Sequence, residues 1–436
     1  MKRALDATIL LVSFCFIHAA DLHLDTPYEG VGEASPQVAD ALREASLAAF
    51  DDLVRLTLER KAAFLLLAGD IYDGAERGVR AQLRFLAGLR RLSQAGIRVF
   101  VVHGNHDPVG GWPGVREWPE GVRVFGADVQ EESVVEREGV VLARVQGISY
   151  GRREVSENLA VRLRPSEGPG LKVALLHANV GGDATHAPYS PCSLDHLLSA
   201  GFDYWALGHI HRGQVLHEGR PWVVYPGSTQ GRSLKPSERG PKGACVVHVQ
   251  DGTVRGVDVV SVDQVRFAVL EVDVSGLADL GGLRGRLQRE AEGLRAAAEG
   301  RALVVRTVVR GRGPVHADLR CAGSVDDVVR DLRDEYEGEH PFLWWESVRD
   351  ETRPAIDLEA IRARDDFSAA LVSQVDGYLE RDGEAACFLA ERVLGSAPRK
   401  VAVHAASLEA VEAASVVEEA RALALDLLEE EAGACT

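Results

Sequence analysis

Residues 65–74 read LLLAGDIYDG: an apolar run that stops abruptly on Gly69-Asp70, so that a buried strand delivers a carboxylate just past its end. The same construction recurs on both sides. HAADLHLD (18–25) places Asp21 and His23 two residues apart after an apolar run, so both side chains leave an extended backbone on one side. VVHGNHDP (101–108) ends on Gly104-Asn105-His106-Asp107, LLHANVGG (175–182) ends near His177, and WALGHIHRG (205–213) carries His209 and His211, again two apart. Ligands of open α/β sheets gather beyond the carboxyl ends of strands, so these five segments are expected to converge on one crevice.

Around them, candidate strands at 9–19, 63–68, 98–103, 141–147, 171–176, 203–207, 221–225 and 243–249 alternate with helical spacing, as at 41–60 and 79–95. That alternation is the pattern of stacked β and α layers. Asp251-Gly252 suggests a hairpin closing this part. From 262 to 350 the style changes to FAVLEVDV, GLRGRLQREAEGLRAAA, ALVVRTVV, a helix after Ser324, and FLWWESV, which reads as a small α+β unit. The remainder, 351–436, is mostly helical and ends in an acidic helix with Val416, Ala420, Leu423 and Leu427 on one face. The domain reading is therefore 1–261, 262–350 and 351–436.

Composition narrows the function. The 436 residues are 46% hydrophobic and 26% charged, which excludes wholesale disorder and a fibrous fold. The net charge of −17 excludes a wholly basic DNA-coating protein. Residues 1–260 hold 28 Lys+Arg against 31 Asp+Glu, net −3, leaving 21 against 35, net −14, for the rest. The acidity thus belongs to the carboxy-terminal part, and a phosphate-facing surface fits the first domain. The six cysteines are scattered with no CxxC pair, as where thiols stay reduced, and a cytoplasmic location is the expectation. Lys2, Arg3 and the apolar run 7–20 could pass as a secretory signal, but cleavage after Ala20 would remove the strand that positions Asp21 and His23. A buried first strand is the preferred reading, with the first ten or so residues as a leader of no consequence or an over-extended start site.

Two Asp, one Asn and several His, without a thiolate, suit Mn, Fe or Zn in a hydrolytic site better than a structural zinc. Two such ions sharing one carboxylate can ionise a water and neutralise a phosphoryl oxygen together. Any one DxH or HxH is weak; their order, each after an apolar run, carries the reading.

DLH, GDIYDG, GNHD, the His of LLHANVGG and GHIH together resemble the ordered motifs of the calcineurin-like metallophosphoesterases. FIHAADLHLDTP, SPCSLDHLLSAGFDYWALGHIHRGQVL and VVYPGSTQGRSLKPSERGPKGA are similar to the bacterial DNA repair exonuclease branch, the YhaO-like relatives of the SbcD nuclease subunit. The resemblance is strong over 14–250 and only general beyond. It implies an α/β metallophosphoesterase fold, a β-sandwich layered with helices (αββα), with a small capping domain and a helical tail. It assigns Asp21, His23 and His211 to one metal, Asn105, His177 and His209 to the other, and Asp70 as the bridge, with His106 as the non-ligand catalytic residue. Asp107 is expected to orient the His106 imidazole. Ser228 stands where Asn is expected and Ser233 where His is expected, which touches substrate selection and no metal position.

The implied function is a Mn-dependent DNA exonuclease acting on double-stranded ends in break repair, with a metal-bound hydroxide attacking in line and His106 assisting departure. Partners implied are DNA, a coiled-coil ABC-type ATPase and a second copy of the chain, with no membrane. Two alternatives stand beside it: the same site acting on small or cyclic phosphoesters, and a non-catalytic scaffold in a repair complex. Asp25 and His103 border the motifs as candidate supporting residues; His186, His196 and His217 read as surface or capping residues. Arg212, Arg232, Lys235, Arg239 and Lys242 read either as phosphate contacts or as a solvated loop, and Phe342, Trp344 and Trp345 as a base-stacking platform or, preferably, as core.

Overall fold

A computed structural model of the chain describes residues 13–26, 28, 36–74, 78–109, 117–128, 132–182, 189–379 and 410–434. The leader, His186, Cys387 and Cys435 lie outside the described residues.

Among the described residues, twelve strands build two sheets: β1 (Ser13–Ala19), β2 (Phe64–Ala68), β3 (Arg98–Val102), β4 (Val122–Val124), β5 (Ser133–Arg137), β6 (Val140–Ile148), β7 (Leu171–His177), β8 (Tyr204–Gly208), β9 (Gln214–His217), β10 (Trp222–Tyr225), β11 (Gly243–Gln250) and β12 (Thr253–Ser261). Their orders are β12-β11-β1-β2-β3-β4 and β5-β6-β7-β8-β10-β9. β1 through β4 run parallel, as do β6, β7, β8 and β10. All eight sequence-predicted strands are represented, the first over Ser13–Ala19 since residues 9–12 lie outside the described residues, and the hairpin at Asp251-Gly252 joins β11 to β12.

Side-chain alternation turns this into layers. Phe14 and Phe16 of β1, Phe64, Leu66 and Ala68 of β2, Leu171, Val173 and Leu175 of β7, and Tyr204 and Ala206 of β8 share one core cluster between the sheets. The opposite parity, Ile17, Ala19, Leu65 and Leu67, faces outward onto α1 (Pro36–Glu59) and α2 (Val79–Gln94) through Phe50, Leu53, Phe85 and Leu89. On the second sheet Ala174, Leu176, Trp205 and Leu207 meet Leu159 and, from α3 (Leu194–Leu198), Leu197. Helix, sheet, sheet, helix is the layering expected from sequence.

Phe16 is fully buried, stacked on Phe64 at 4.7 Å and edge-on to Tyr204 at 5.2 Å. Phe16→Ala is expected to cost about 3–5 kcal/mol of stability, read as a drop in Tm and in denaturation midpoint at unchanged m. An unchanged midpoint would mean that the two sheets do not meet at this ring.

Beyond the sandwich, β13 (Val265–Asp273), β14 (Ala302–Arg312) and β15 (Leu343–Arg353) form a three-stranded sheet with α4 (Leu280–Ala297) and the helix Ser324–Glu335. The chain groups into two compact units: Met1–Val272, Gly281–Val309 and Ala322–Glu351 in one, Asp273–Leu280, Arg310–Cys321 and Thr352–Thr436 in the other. In the first, Val265, Phe267, Ala302 and Val304 pack with Val38, Leu42 and Ala45 at the start of α1. Trp345 is fully buried, and Trp344 is partly buried beneath the Arg333 guanidinium at 4.3 Å, so these tryptophans are packed rather than displayed.

In the second unit the helix Ala410–Ala434 buries Val417 and Leu425, against Val375 and Val372 of the helix Phe367–Leu379. Arg312 holds Asp426 through two hydrogen bonds of 2.9 and 2.6 Å. Of the face read from sequence, Val416 packs against this cluster while Leu423 and Leu427 are exposed; the buried stripe carries Val417 and Leu425. None of the described helices is long and apolar enough to cross a membrane.

Candidate metal centre

Parallel strands of both sheets end at one edge of the sandwich, and each of the five sequence motifs follows such an end. His177, the last residue of β7, has the parity of Leu171, Val173 and Leu175 and so points between the sheets, where its Nδ1 donates to Ala68 O of β2 at 2.8 Å. Such close approach needs glycine. A Cβ on Gly208 would lie 1.9 Å from Ala68 O, and one on Gly104 2.2 Å from Asp70 Oδ1.

The turns past the strands are strained. Asp21, His23, Asp70 and His209 all have positive φ (52°, 42°, 50° and 100°), a region that non-glycine residues occupy at a cost. Backbone bonds hold them there: Asp21 N to Gly69 O at 3.1 Å and His23 N to Asp70 O at 3.0 Å. His209 N donates to both Asp21 carboxylate oxygens at 3.1 Å.

The side chains converge. Asp21, His23 and His211 form one group, and Asp21, Asp70 and His177 another, each with its donor atoms within 4.8 Å of one another. His23 Nε2 faces His211 Nε2 at 3.3 Å. Asp70 Oδ2 lies 3.3 Å from His177 Nε2 and 3.9 Å from His23 Nε2, between the two groups. Asn105 Oδ1 is 3.1 Å from His177 Nε2, and the rings of His177 and His209 are 5.2 Å apart. Six of the seven expected ligands are buried, and His211 is nearly so. A carboxylate pair and imidazole nitrogens facing one another out of water fit a pair of divalent cations, which would satisfy atoms that protein partners serve only in part.

The local pKa values follow the same crowding. Burial would raise the Asp70 carboxyl, but the imidazoles of His177, His23 and His106 outweigh it and hold it well below the carboxylate range. Burial works against protonation of His177, yet Asp70 and Asp21 overcome it and lift the imidazole to about 9. His177 would have to give up that proton to hold a cation, so metal binding would be coupled to proton release.

One expectation is corrected. Asp107 does not orient His106. Its fully buried carboxylate accepts from Gly104 N at 2.8 Å and Ile71 N at 3.0 Å, and lies 3.4 Å from His103 Nδ1, so it ties the third strand end to the second. His106 Nδ1 instead donates to Asp73, whose other oxygen accepts from Arg232 at 3.1 Å. Asp73 raises the His106 imidazole against the effect of burial. His106 stays partly exposed, while its backbone N–H donates to Asp70 Oδ1 at 2.9 Å.

A second partner also escaped the sequence reading. Glu238, buried, accepts from His211 Nδ1 at 2.5 Å. Burial alone would push Glu238 up, but His211, Arg232 and Lys242 bring it down to about 2, so it is an acceptor only, while Nε2 of His211 is the atom that faces His23 Nε2. Asp73 was visible three residues after Asp70 within GDIYDG, and Glu238 within the quoted SLKPSERGPKG; their partners lie 33 and 27 residues away. Of the basic neighbourhood, Arg232 and Lys242 are used internally, with Lys242 Nζ donating to His211 O at 2.8 Å. Asp25 bonds through its backbone N–H to Ser46 at 3.0 Å and is a member of neither ligand group.

Comparison with known proteins agrees with this geometry. A family described as calcineurin-like phosphoesterase matches residues 15–213, and one described as metallophosphoesterase YhaO, middle domain, matches 267–353. A Bacillus subtilis protein described as an uncharacterized metallophosphoesterase YhaO is 35% identical over 368 residues, 84% of this chain and 88% of that protein. The DNA double-strand break repair protein Mre11 of Thermoplasma acidophilum is 26% identical over 55% of this chain and 63% of its own length. A Bacillus subtilis protein described as an SbcCD nuclease subunit is 25% identical over 54% of this chain and 66% of its own length. The last two matches each span less than two thirds of the relative.

Proposed function

Because the chain belongs to the calcineurin-like metallophosphoesterases, in their YhaO family, we propose that it is a DNA phosphodiesterase, a Mn-dependent exonuclease acting on double-stranded ends in break repair. The observation that carries the reading is the convergence of donors from both sheets beside a partly exposed, carboxylate-held histidine. The names of the Mre11 and SbcCD relatives favour DNA over a small ester.

Asp21, His23 and His211 would hold one cation, Asn105, His177 and His209 the other, and Asp70 both. Manganese suits this oxygen and imidazole set, as do iron and zinc. When bound, the pair supplies Lewis acidity toward the phosphoryl oxygens and acidifies water. The protein's own part is positional and protonic. Asp73 fixes the Nδ1–H tautomer of His106 and favours its charged form, leaving Nε2 to contact the phosphate or to protonate the departing 3′-oxygen. Residues 262–350 would cap the crevice, and 351–436 would dock a coiled-coil ABC-type ATPase. We place the enzyme in the cytoplasm, working as a homodimer. The acidic tail opposes tight DNA binding by the isolated chain, so partner or dimer would supply the grip.

The test is turnover of an end-labelled blunt duplex, bis-p-nitrophenyl phosphate and p-nitrophenyl phosphate, with and without Mn. Mn-dependent shortening of the duplex is expected. Turnover of the small esters alone would replace DNA by a small phosphoester as the substrate class.

A further inference from the structure

We propose that the loop between β10 and β11 is a brace that positions the metal ligand His211 and the catalytic candidate His106 together, with Arg232 and Glu238 as its positioning residues. This rests on the dimetal reading above. The chain of contacts runs unbroken through five side chains. His211 Nδ1 donates to Glu238 at 2.5 Å; Arg232 Nη2 lies 3.9 Å from the same Glu238 oxygen; Arg232 Nη1 donates to Asp73 at 3.1 Å; and Asp73 accepts from His106 Nδ1. One guanidinium thus stands between two carboxylates, and each carboxylate grips the outer nitrogen of an imidazole that borders the site. A planar fork of donors can serve two carboxylates in fixed geometry, where an ammonium cannot.

The loop is built to hold that line. The bridge from Ala20 to Ser228, and Ser228 N to His211 O at 3.2 Å, fasten its start to the end of the first strand and to the His211 motif. It then folds back so tightly that a Cβ on Gly231 would lie 2.3 Å from Glu238 O, and Arg232 N donates to Glu238 Oε2 at 3.2 Å. Lys242 closes the far end on the carbonyls of His211 and Ser237. An ordinary surface ion pair would not have one of its carboxylates buried, as Glu238 is, nor would it terminate on two histidines of one site.

The brace predicts a split that a purely structural role does not. Glu238→Ala should weaken Mn binding about 10–100-fold, the usual cost of losing a partner that orients a ligand, with a smaller fall in kcat at saturating Mn. Asp73→Asn should lower kcat and leave Mn affinity alone. Arg232→Ala should lower both, and in the Glu238→Ala background it should weaken Mn binding no further, since the affinity effect passes through Glu238. Glu238→Gln, which keeps an acceptor oxygen, should recover most of the affinity, and Arg232→Lys should fall between wild type and Arg232→Ala.

Mn affinity is read by calorimetry on the full chain with the metal alone, and kcat on whichever panel substrate the wild type turns over. Folded Glu238→Ala or Arg232→Ala with wild-type affinity, or additive losses in the double variant, overturn the brace. If the alanine variants fail to fold, Glu238→Gln and Arg232→Lys carry the test, and no loss of affinity in Arg232→Lys overturns it likewise. A wild-type chain that takes up no Mn overturns the dimetal reading along with the brace, whereas wild-type binding with unaffected variants overturns the brace alone.

Discussion

Asp70→Asn is expected to lower Mn-dependent kcat/KM by at least about 100-fold, the upper end of what outer partners of a metal site cost by themselves. The reason is position. Asp70 Oδ2 faces both His177 Nε2 and His23 Nε2, and Oδ1 accepts the backbone N–H of His106, so this carboxyl serves both donor groups and the segment carrying the candidate acid. An amide keeps the volume and removes the charge. The His177 imidazole, lifted to about 9 chiefly against burial by Asp70, should then titrate lower, which NMR of the ring protons reads directly. Retained turnover within a few-fold, with a normal Mn titration, would remove Asp70 from the shared position.

His106→Ala is the second large effect: kcat should fall on the order of 10²–10⁴-fold while Mn affinity stays at the wild-type value. Its imidazole belongs to neither ligand group assigned from sequence and keeps partial exposure. The pH profile separates acid catalysis from mere contact. Asp73 raises the imidazole, so the proton-bearing form persists to higher pH and the rate should decline as pH rises through that value. Asp73→Asn should move this alkaline limb to lower pH, and His106→Ala should abolish it. A limb unchanged in both variants would assign the titration to another group.

Much of this was legible in the chain, for reasons that also explain the omissions. An apolar run ending on Gly plus a metal-binding residue is a local signal, so the strands that carry the site and all seven ligand candidates could be read from residues a few positions apart. β4, β5 and β9, at three to five residues with mixed polarity, are too short for periodicity to register. The partners of His106 and His211 needed tertiary placement. Sequence adjacency favoured Asp107, but its side chain faces Gly104 N and Ile71 N, while Asp73 reaches His106 from the turn after β2. The carboxy-terminal helix shows the same limit. Either of two apolar stripes could be buried, and the contacts of Val417 and Leu425 chose between them.

His177, at the end of β7, leans across the interior to Ala68, while the carboxylates of Asp21 and Asp70 come from the opposite sheet. A cation seated among them would therefore act as a rivet through the two halves of the sandwich. Any that binds only the native form adds RT ln(1 + [L]/Kd) to stability, about 2.7 kcal/mol at a hundredfold excess over Kd. Chelation would then loosen the same closure that aromatic packing around Phe16 maintains from within, and resistance to heat or protease would become a gauge of site occupancy.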